Sequence, residues 1–193
     1  MGLIEATNPC GEVPLLSYES CNLGSINLAR MITNEKLNWE KLRQTTRLAV
    51  HFLDNVIDAN NYPLKETENI TKANRKIGLG VMGFADLLFL LKIPYESKEA
   101  LQLGGRLIKF IAKEAQEKSV ELGKERGSFK NFDQSTWQKK YPTMRNTTCI
   151  TIAPTGTISI IAGCSSSIEP VFALAFIRRV MEGNPDGCSR VLL

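Results

Sequence analysis

The sequence predicts an α/β protein, and three patterns indicate it. Residues 39–59 and 97–124 repeat apolar side chains at helical spacing, with charged side chains between them. Residues 148–153 (TCITIA) are β-branched and apolar, which is typical of a short buried strand. Residues 77–91 are almost continuously apolar and pass from a glycine-rich stretch into a helical pattern. Long amphipathic helices combined with short buried strands define an α/β fold.

The first elements follow from end signals as well as from periodicity. An extended segment runs through Leu16, and residues 22–32 are apolar enough to pack beneath it. Asn38 is a suitable N-cap for a helix over 39–59, and a short helix follows at 66–75. The apolar positions of the helix at 39–59 are Leu42, Leu48, Ala49, Phe52, Leu53, Val56 and Ile57.

The longest helix is expected to begin after Ser97, its N-cap, and to end near Lys124. Its inward positions are expected to be Leu101, Leu107, Ile108, Ile111, Ala112, Ala115 and Leu122. A polar connection with a short helix around Trp137 leads to the strand at 148–153, in which Cys149 is expected to belong to the core.

Residues 78–83 (GLGVMG) formally match the glycine pattern of dinucleotide-binding folds. That fingerprint requires a hydrophobic strand before the first glycine and an acidic residue at the end of a second strand about 20 residues later. Here residues 74–76 (NRK) come before the glycines, and Glu96 and Glu99 lie at the start of a helix. We therefore interpret these glycines as sites of close packing.

Composition excludes several classes of protein. With 193 residues, 43% of them hydrophobic, the chain can bury a core within one domain or large subdomain, 1–193. Its 24 basic and 20 acidic residues are spread along the chain, so the net charge of +4 does not indicate nucleic-acid binding. Five cysteines without a CxxC pair, and a single histidine, fit neither a disulfide framework nor a zinc site.

Two features argue against export and membrane insertion. The first residues, MGLIE, lack the charged and apolar regions of a signal peptide. The apolar run 77–91 contains Asp86 and is shorter than the roughly 20 residues that span a bilayer. We expect a cytoplasmic location, no membrane contact and no metal site.

Residues 8–27 contain the densest group of reactive side chains, in NPCGE and then ESCNLGSIN. Pro9 and Gly11 exclude a regular helix around Cys10. On an extended segment Cys10 and Glu12 share one face, so both can point into one pocket, and a second thiol, Cys21, follows. A free cysteine is more often a small buried hydrophobe than a reactive group. Spacing alone therefore leaves both interpretations open.

A second candidate site follows the predicted strand, at 153–159 (APTGTIS), with a serine-rich loop at 164–170. Backbone N–H groups and hydroxyls converge at such a strand-to-helix turn, which suits an anion. The stretch lacks the lysine of a P-loop. An ordinary turn of the same composition is an equal alternative.

These motifs resemble, in order, those of ribonucleotide reductase catalytic subunits. NPCGE with ESCNLGSINL resembles the active-site finger loop, residues 75–88 resemble a strand-to-helix segment of the catalytic barrel, and APTGTIS with SSIEP resembles the loop that binds substrate phosphates. The Pro and Gly that flank Cys10 resemble the adenosylcobalamin-dependent class II enzymes rather than class I.

The resemblance implies a fold and a set of partners. The family's catalytic domain is a ten-stranded α/β barrel made of two halves, and residues 1–193 would supply its finger loop and much of its second half. The partners would be a ribonucleotide, adenosylcobalamin, a thioredoxin-type reductant and the missing amino-terminal half. A half-barrel leaves a sheet edge uncovered, so a homo-oligomer is expected. Residues 183–193, with Cys188, match no pattern of the family.

The resemblance also implies a mechanism. Cys10 would carry a transient thiyl radical, generated with adenosylcobalamin, and abstract the 3′ hydrogen of the ribonucleotide. Glu12 would act as general base, helped by Asn8, and Cys21 would deliver reducing electrons together with a thiol from the missing half. The expected substrate-binding residues are Pro9, Gly11, Pro154, Thr155, Gly156, Thr157 and Ile158.

Two alternatives stay open at this point. The chain resembles to a lesser degree the class I large subunits, whose radical arrives from a partner protein. A non-catalytic nucleotide-binding fragment would also fit, because half of the barrel is absent. The sequence does not distinguish a diphosphate from a triphosphate substrate.

Overall fold

The computed structural model describes residues 2–171, 173, 175–179 and 189–192. The strands are β1 Ala6–Thr7, β2 Pro14–Leu15, β3 Asn22–Asn27, β4 Ile32–Thr33, β5 Lys36–Leu37, β6 Ile77–Met82, β7 Phe176–Arg179 and β8 Ser189–Leu192. The α-helices are α1 Trp39–Ala59, α2 Lys65–Asn74, α3 Phe84–Leu90, α4 Lys98–Arg126 and α5 Gly156–Ala162, with 3₁₀ turns at Leu28–Met31, Phe132–Gln134 and Thr136–Lys139. Cys188, which the sequence left unassigned, lies outside the described residues.

The centre of the fold is a parallel pair of strands, β3 and β6, in a register that places Asn22 beside Ile77 and Asn27 beside Met82. Every residue of β6 is buried, as expected for a strand covered on both faces. The apolar run that begins at Ile77 is therefore part of the core. None of the helices in the described ranges is long and apolar enough to cross a membrane.

The prediction of a regular strand at 148–153 is wrong. The segment lies beside β6, but it makes only one bridge, between Leu79 and Ile150. A parallel ladder uses alternate residues. Here the carbonyls of two consecutive residues, Thr148 and Cys149, accept from the N–H groups of Ile77 and Leu79. The segment is therefore extended and hydrogen-bonded, without forming a continuous strand.

The glycines of β6 serve close packing, which confirms their interpretation from the sequence. A Cβ added to Gly78 would lie 2.5 Å from a methyl group of Leu23, and one added to Gly80 would lie 2.8 Å from the carbonyl oxygen of Thr151. Gly83 is the N-cap of α3, and its backbone lies in the left-handed region. Its N–H donates to the carbonyl of Ser165. The start of α3 is thus covered by the serine-rich loop, so a dinucleotide phosphate has no place there.

The two long helices pack against each other, α1 also packs on the parallel strands, and both helices begin where the caps predict. The Asn38 side chain accepts a hydrogen bond from the N–H of Lys41, and the Ser97 hydroxyl accepts one from that of Ala100. The core contains members of both helices, among them Leu42, Val50, Leu53, Ile57, Leu103, Leu107, Ile111, Ala115 and Leu122.

Three apolar positions of the predicted helices are exposed, and one of them, Leu101, was predicted to face the core. Leu48, Phe52 and Leu101 keep 69%, 64% and 80% of their surface. The periodicity gave the right helices, but their apolar stripes are wider than the faces that the described residues cover. The described strands do not close a barrel, because β3 and β6 form a two-stranded sheet. The architecture is nevertheless the mixed α/β arrangement that the sequence predicts.

Candidate active site

Cys10 lies at the tip of a β-hairpin. Strands β1 and β2 pair in antiparallel register, and residues 8–13 connect them. The N–H of Gly11 donates to the carbonyl of Asn8 over 2.9 Å, which closes a turn with Pro9 and Cys10 at its centre. Asn, Pro and Gly occupy the turn positions that each favours, and Gly11 has a φ of +82°. The local sequence therefore dictates an exposed loop for this thiol.

Asn8 also fixes the other side of the tip. Its side-chain oxygen accepts a 2.9 Å hydrogen bond from the N–H of Val13, and its own N–H donates to the Val13 carbonyl. Val13 is buried, so these two hydrogen bonds attach the hairpin tip to the core at the residue after Glu12. In this arrangement Asn8 orients the segment that carries Cys10 and Glu12.

Glu12 is half-buried between the tip and the core. Its Oε2 atom is buried and has no hydrogen-bond partner among the described residues. Its backbone carbonyl accepts a 2.9 Å hydrogen bond from the Thr151 hydroxyl. A fixed backbone combined with a carboxylate oxygen that is free to accept a proton is the arrangement a general base requires.

Cys21 lies at the start of β3, and its environment links it to Glu12. Burial raises the pKa of this thiol, the Glu12 carboxylate raises it further, the Lys76 ammonium lowers it, and Glu19 raises it again. The thiol is therefore protonated at neutral pH. Glu12 on the hairpin and Lys76 before β6 therefore act in opposite directions on the pKa of Cys21.

A buried polar cluster beneath the hairpin was not predicted as part of the site. The Lys76 ammonium donates to Glu19 Oε2 and to the Pro14 carbonyl, both over 2.7 Å. The Asn74 side chain donates to the other Glu19 oxygen. In the sequence, Lys76 stands out only as one of the polar residues 74–76 that come before the glycines. A signal was present, because a lysine directly before a fully buried strand has to find a partner.

The predicted phosphate loop is a turn that packs against the serine-rich loop. Thr155 has a φ of +56° and is buried, and its hydroxyl accepts a 2.7 Å hydrogen bond from the N–H of Ser167. The hydroxyls of Ser159 and Ser166 lie 3.0 Å apart. Thr155 therefore holds the two loops together. The exposed members of the predicted set are Pro154, Gly156, Thr157 and Ile158.

Two hydroxyls of the serine-rich loop are buried without a hydrogen-bond partner among the described residues, those of Ser165 and Ser167. Ser167 also adopts a φ of +42°, in the left-handed region that disfavours side chains. Buried unpaired hydroxyls and backbone strain are costly and often occur at binding sites. The sequence placed both serines in the loop at 164–170 beside the second candidate site, but did not include them among the expected substrate-binding residues.

His51 and Cys149 have structural explanations. The side chain of His51, the chain's one histidine, lies 2.8 Å from Arg126, on the surface. Within the described ranges, no three His, Cys, Asp or Glu side chains come together as metal ligands. Cys149 is buried, which raises its pKa to about 12.

Comparisons with known proteins agree with these motifs. The family model "Ribonucleotide reductase, barrel domain" matches residues 1–143 and 140–192. The vitamin B12-dependent ribonucleoside-diphosphate reductase of Thermoplasma acidophilum is 56% identical over 95% of this chain and 24% of its own length. The Mycobacterium tuberculosis H37Rv protein of the same name is 53% identical over 93% of this chain and 25% of its own length.

Relatives named without vitamin B12 are less similar. The ribonucleoside-diphosphate reductase large subunit of Danio rerio is 33% identical over 95% of this chain and 27% of its own length. The class Id ribonucleotide reductase alpha subunit of Actinobacillus ureae has a structure that matches 86% of this chain, and 32% of that subunit, with a TM-score of 0.71 and 28% identity. The resemblance to the class II enzymes is thereby confirmed.

The chain spans about a quarter of the length of the curated relatives it matches. The family match nevertheless extends over nearly all of its residues, and it includes residues 183–192, so the expectation that this end of the chain matches no pattern of the family is wrong. The chain belongs to the ribonucleotide reductase barrel-domain family.

Proposed function

We propose that this chain carries the radical thiol, the general base and one reducing thiol of a class II ribonucleotide reductase. The reaction converts a ribonucleotide and a dithiol into a 2′-deoxyribonucleotide, water and a disulfide. The observation that supports the proposal best is the hairpin tip, which presents the exposed thiol of Cys10 two residues from the unpaired carboxylate oxygen of Glu12. Residues 1–193 would form the second half of the catalytic barrel domain.

Cys10 and Glu12 would act on neighbouring atoms of one ribose. The Cys10 sulfur, as a radical, takes the hydrogen atom from the 3′ carbon, and Glu12 accepts the proton of the 3′ hydroxyl, while the 2′ hydroxyl takes a proton from the reducing thiol pair and leaves as water. The Thr151 hydrogen bond to the Glu12 backbone supports this role, because it fixes the residue while its Oε2 stays free. Asn8 keeps both side chains on one rigid turn.

Cys21 would supply one of the two electrons that reduce the ribose carbon. It needs a second thiol to form a disulfide, and Cys149 does not fit, because it is buried and its pKa is raised to about 12. By the family resemblance, the second thiol would come from the rest of the enzyme. A thioredoxin-type protein would then regenerate the dithiol by thiol exchange.

The proposal includes adenosylcobalamin because two of the relatives are named as vitamin B12-dependent reductases. One feature of the chain fits it: Cys10 is exposed, and a Cβ added to Gly11 would meet no atom within 4 Å, so a bulky group can approach the thiol. When bound, the cofactor supplies the radical chemistry, while this chain positions the thiol.

The substrate phosphates would lie against residues 154–158. Support comes from the exposed Gly156 and Thr157, and from the buried hydroxyls of Ser165 and Ser167, which have no partner among the described residues. Hydroxyl and backbone donors suit phosphate oxygens. The strained Thr155 would keep the two loops in register.

The test uses the complete enzyme that contains this sequence, with a nucleotide labelled with tritium at the 3′ carbon. Cys10→Ser is expected to abolish both turnover and cleavage of the labelled bond. Cys21→Ser is expected to abolish turnover with a dithiol relay while the labelled bond is still cleaved. Turnover by Cys10→Ser would disprove the proposal.

Glu12 is tested separately with a matched acid on the same hairpin. Glu12→Gln removes the base and is expected to lower kcat by about 10²-fold or more, since general-base catalysis typically contributes at least that factor. Glu5 is exposed and precedes β1, so Glu5→Gln is expected to leave kcat unchanged. Equal effects of the two substitutions would contradict the role of Glu12.

A further inference from the structure

We propose that Lys76 and Glu19 form a buried anchor that positions the active-site hairpin and sets the reactivity of Cys21. The purpose given to this anchor rests on the proposed function. The contacts that define the anchor do not, because they are present whatever reaction the enzyme catalyses. Lys76 and Glu19 are positioning residues, since they act through the hairpin and through Cys21.

The ion pair joins three separate parts of the chain. Lys76 lies just before β6, and its ammonium reaches Glu19 Oε2 and the carbonyl of Pro14, both at 2.7 Å. Pro14 belongs to β2, one arm of the hairpin, while Glu19 lies two residues before Cys21. One ammonium group therefore ties the hairpin and the Cys21 segment to the strand beneath them.

Glu19 is saturated with donors, which fixes its direction. Its Oε2 atom also accepts from the N–H of Leu16 over 2.8 Å, and its Oε1 atom accepts from the Asn74 side chain over 2.6 Å. The bond to Leu16 closes the turn between β2 and Cys21. The side chains of Glu19 and Lys76 are only 0% and 10% exposed.

An apolar pair of the same size could fill this space, but it could not direct the hairpin. Replacing a buried ion pair by packed apolar residues is often neutral for stability, whereas removing one partner leaves a buried, unpaired charge. Each bond of this cluster ends on the backbone or on a fixed side chain. The charges therefore specify where the segment from Pro14 to Cys21 lies.

The same charges act on the Cys21 thiol. The groups that shift its pKa, besides burial, are Glu12 on the hairpin, Lys76 at β6 and Glu19 on its own segment, and of these only Lys76 lowers it. Lys76 thus offsets two carboxylates around a thiol that has to react as a thiolate in thiol exchange.

The test is the pH profile of Cys21 alkylation by iodoacetamide in the full 193-residue chain, followed by mass spectrometry of the Cys21 peptide. Lys76→Met is expected to raise the midpoint of the profile, and Glu19→Gln, which leaves the ammonium unpaired, is expected to lower it. The double variant is expected to return near the wild-type midpoint. A merely structural pair would move all three midpoints in one direction, which would overturn the proposal.

Limited proteolysis between residues 8 and 18 reports the anchoring itself. Cleavage is expected to be about tenfold faster or more in all three variants, because loss of a buried partner favours local opening. Lys76→Arg keeps the charge and is expected to keep the wild-type midpoint. It also keeps the proposal testable if Lys76→Met does not fold.

Lys72→Met is the matched control. Lys72 lies on neighbouring α2 in a pair with Glu68 whose side chains are 39% and 41% exposed. It is expected to change neither the midpoint nor the cleavage rate, and an effect equal to that of Lys76→Met would overturn the proposal. None of these readouts needs turnover. A failure of the anchor is therefore distinguishable from a failure of the proposed reaction, which the Cys10→Ser enzyme tests.

Discussion

The hydroxyl of Thr151 donates a 2.9 Å hydrogen bond to the backbone carbonyl of Glu12, across 139 positions of sequence. Thr151 also donates its own N–H to Leu79 of β6 and stands three residues before Pro154. The segment that leads into the proposed phosphate loop is therefore bonded directly to the segment that carries the proposed base. The proposed phosphate and ribose contacts are coupled through one side chain.

Thr151→Val tests this coupling. Valine keeps the shape of threonine but cannot donate, so the Glu12 carbonyl loses its partner. We expect a loss of about 1 kcal/mol in the free energy of unfolding, the usual value of one hydrogen bond. We also expect a lower kcat in the complete enzyme with little change in KM. Thr151→Ser keeps the hydroxyl and serves as control. A valine variant with unchanged kcat would show that the bond does not position Glu12.

Gly80→Ala is expected to destabilise the chain by about 1–3 kcal/mol, as overpacking in a core does. The new methyl group would lie 2.8 Å from the Thr151 carbonyl oxygen, which is backbone and has to shift. Urea unfolding provides the measurement. Gly105→Ala is the control, because a Cβ there meets nothing within 4 Å and alanine favours the helix. Gly105→Ala should therefore be neutral or slightly stabilising. Similar losses in both variants would contradict the packing role of Gly80.

Much of the fold could be predicted because its signals are local. The Asn38 and Ser97 caps, the helical periodicity and the turn residues of the hairpin each act within a few positions. The loop that carries Cys10 followed from Pro9 and Gly11 in the same way, but the exposure of its thiol did not.

The rest depended on partners that are far apart in sequence. Glu19 and Lys76 are separated by 57 positions, so no local pattern indicates that they meet. The same holds for Thr151 and Glu12. Leu101 was predicted to face the core because periodicity identifies an apolar face but not what covers it.

Asp54→Ala is expected to be among the most destabilising single changes. Asp54 has no exposed surface, accepts from Arg75 over 2.8 Å and from Asn146 over 3.0 Å, and also pairs with Arg145. Its loss would leave the buried Arg75 with only Asp58 as a charged partner, at a cost of about 3–5 kcal/mol.

Chemical denaturation of Asp54→Ala and of Glu68→Ala gives the comparison. Glu68 belongs to a pair on the surface of α2, and its removal should cost about 0–1 kcal/mol. Equal costs would mean that burial does not decide the strength of these pairs.

The 193-residue chain alone is expected not to reduce ribonucleotides, because the thiol proposed to pair with Cys21 belongs to the rest of the enzyme. Cys10 is assigned to the radical step, and Cys149 is buried with its pKa raised to about 12. The exposed apolar side chains of Leu101 and Ile161, each 80% exposed, also favour self-association until another surface covers them. The assay contains the purified chain, adenosylcobalamin, a thioredoxin system and ribonucleotide, with and without a polypeptide that supplies the rest of the barrel. Activity is expected only when that polypeptide is present, and adding it to the Cys21→Ser chain should give none. Deoxyribonucleotide formed by the chain alone would refute the assignment of Cys21 to a divided dithiol.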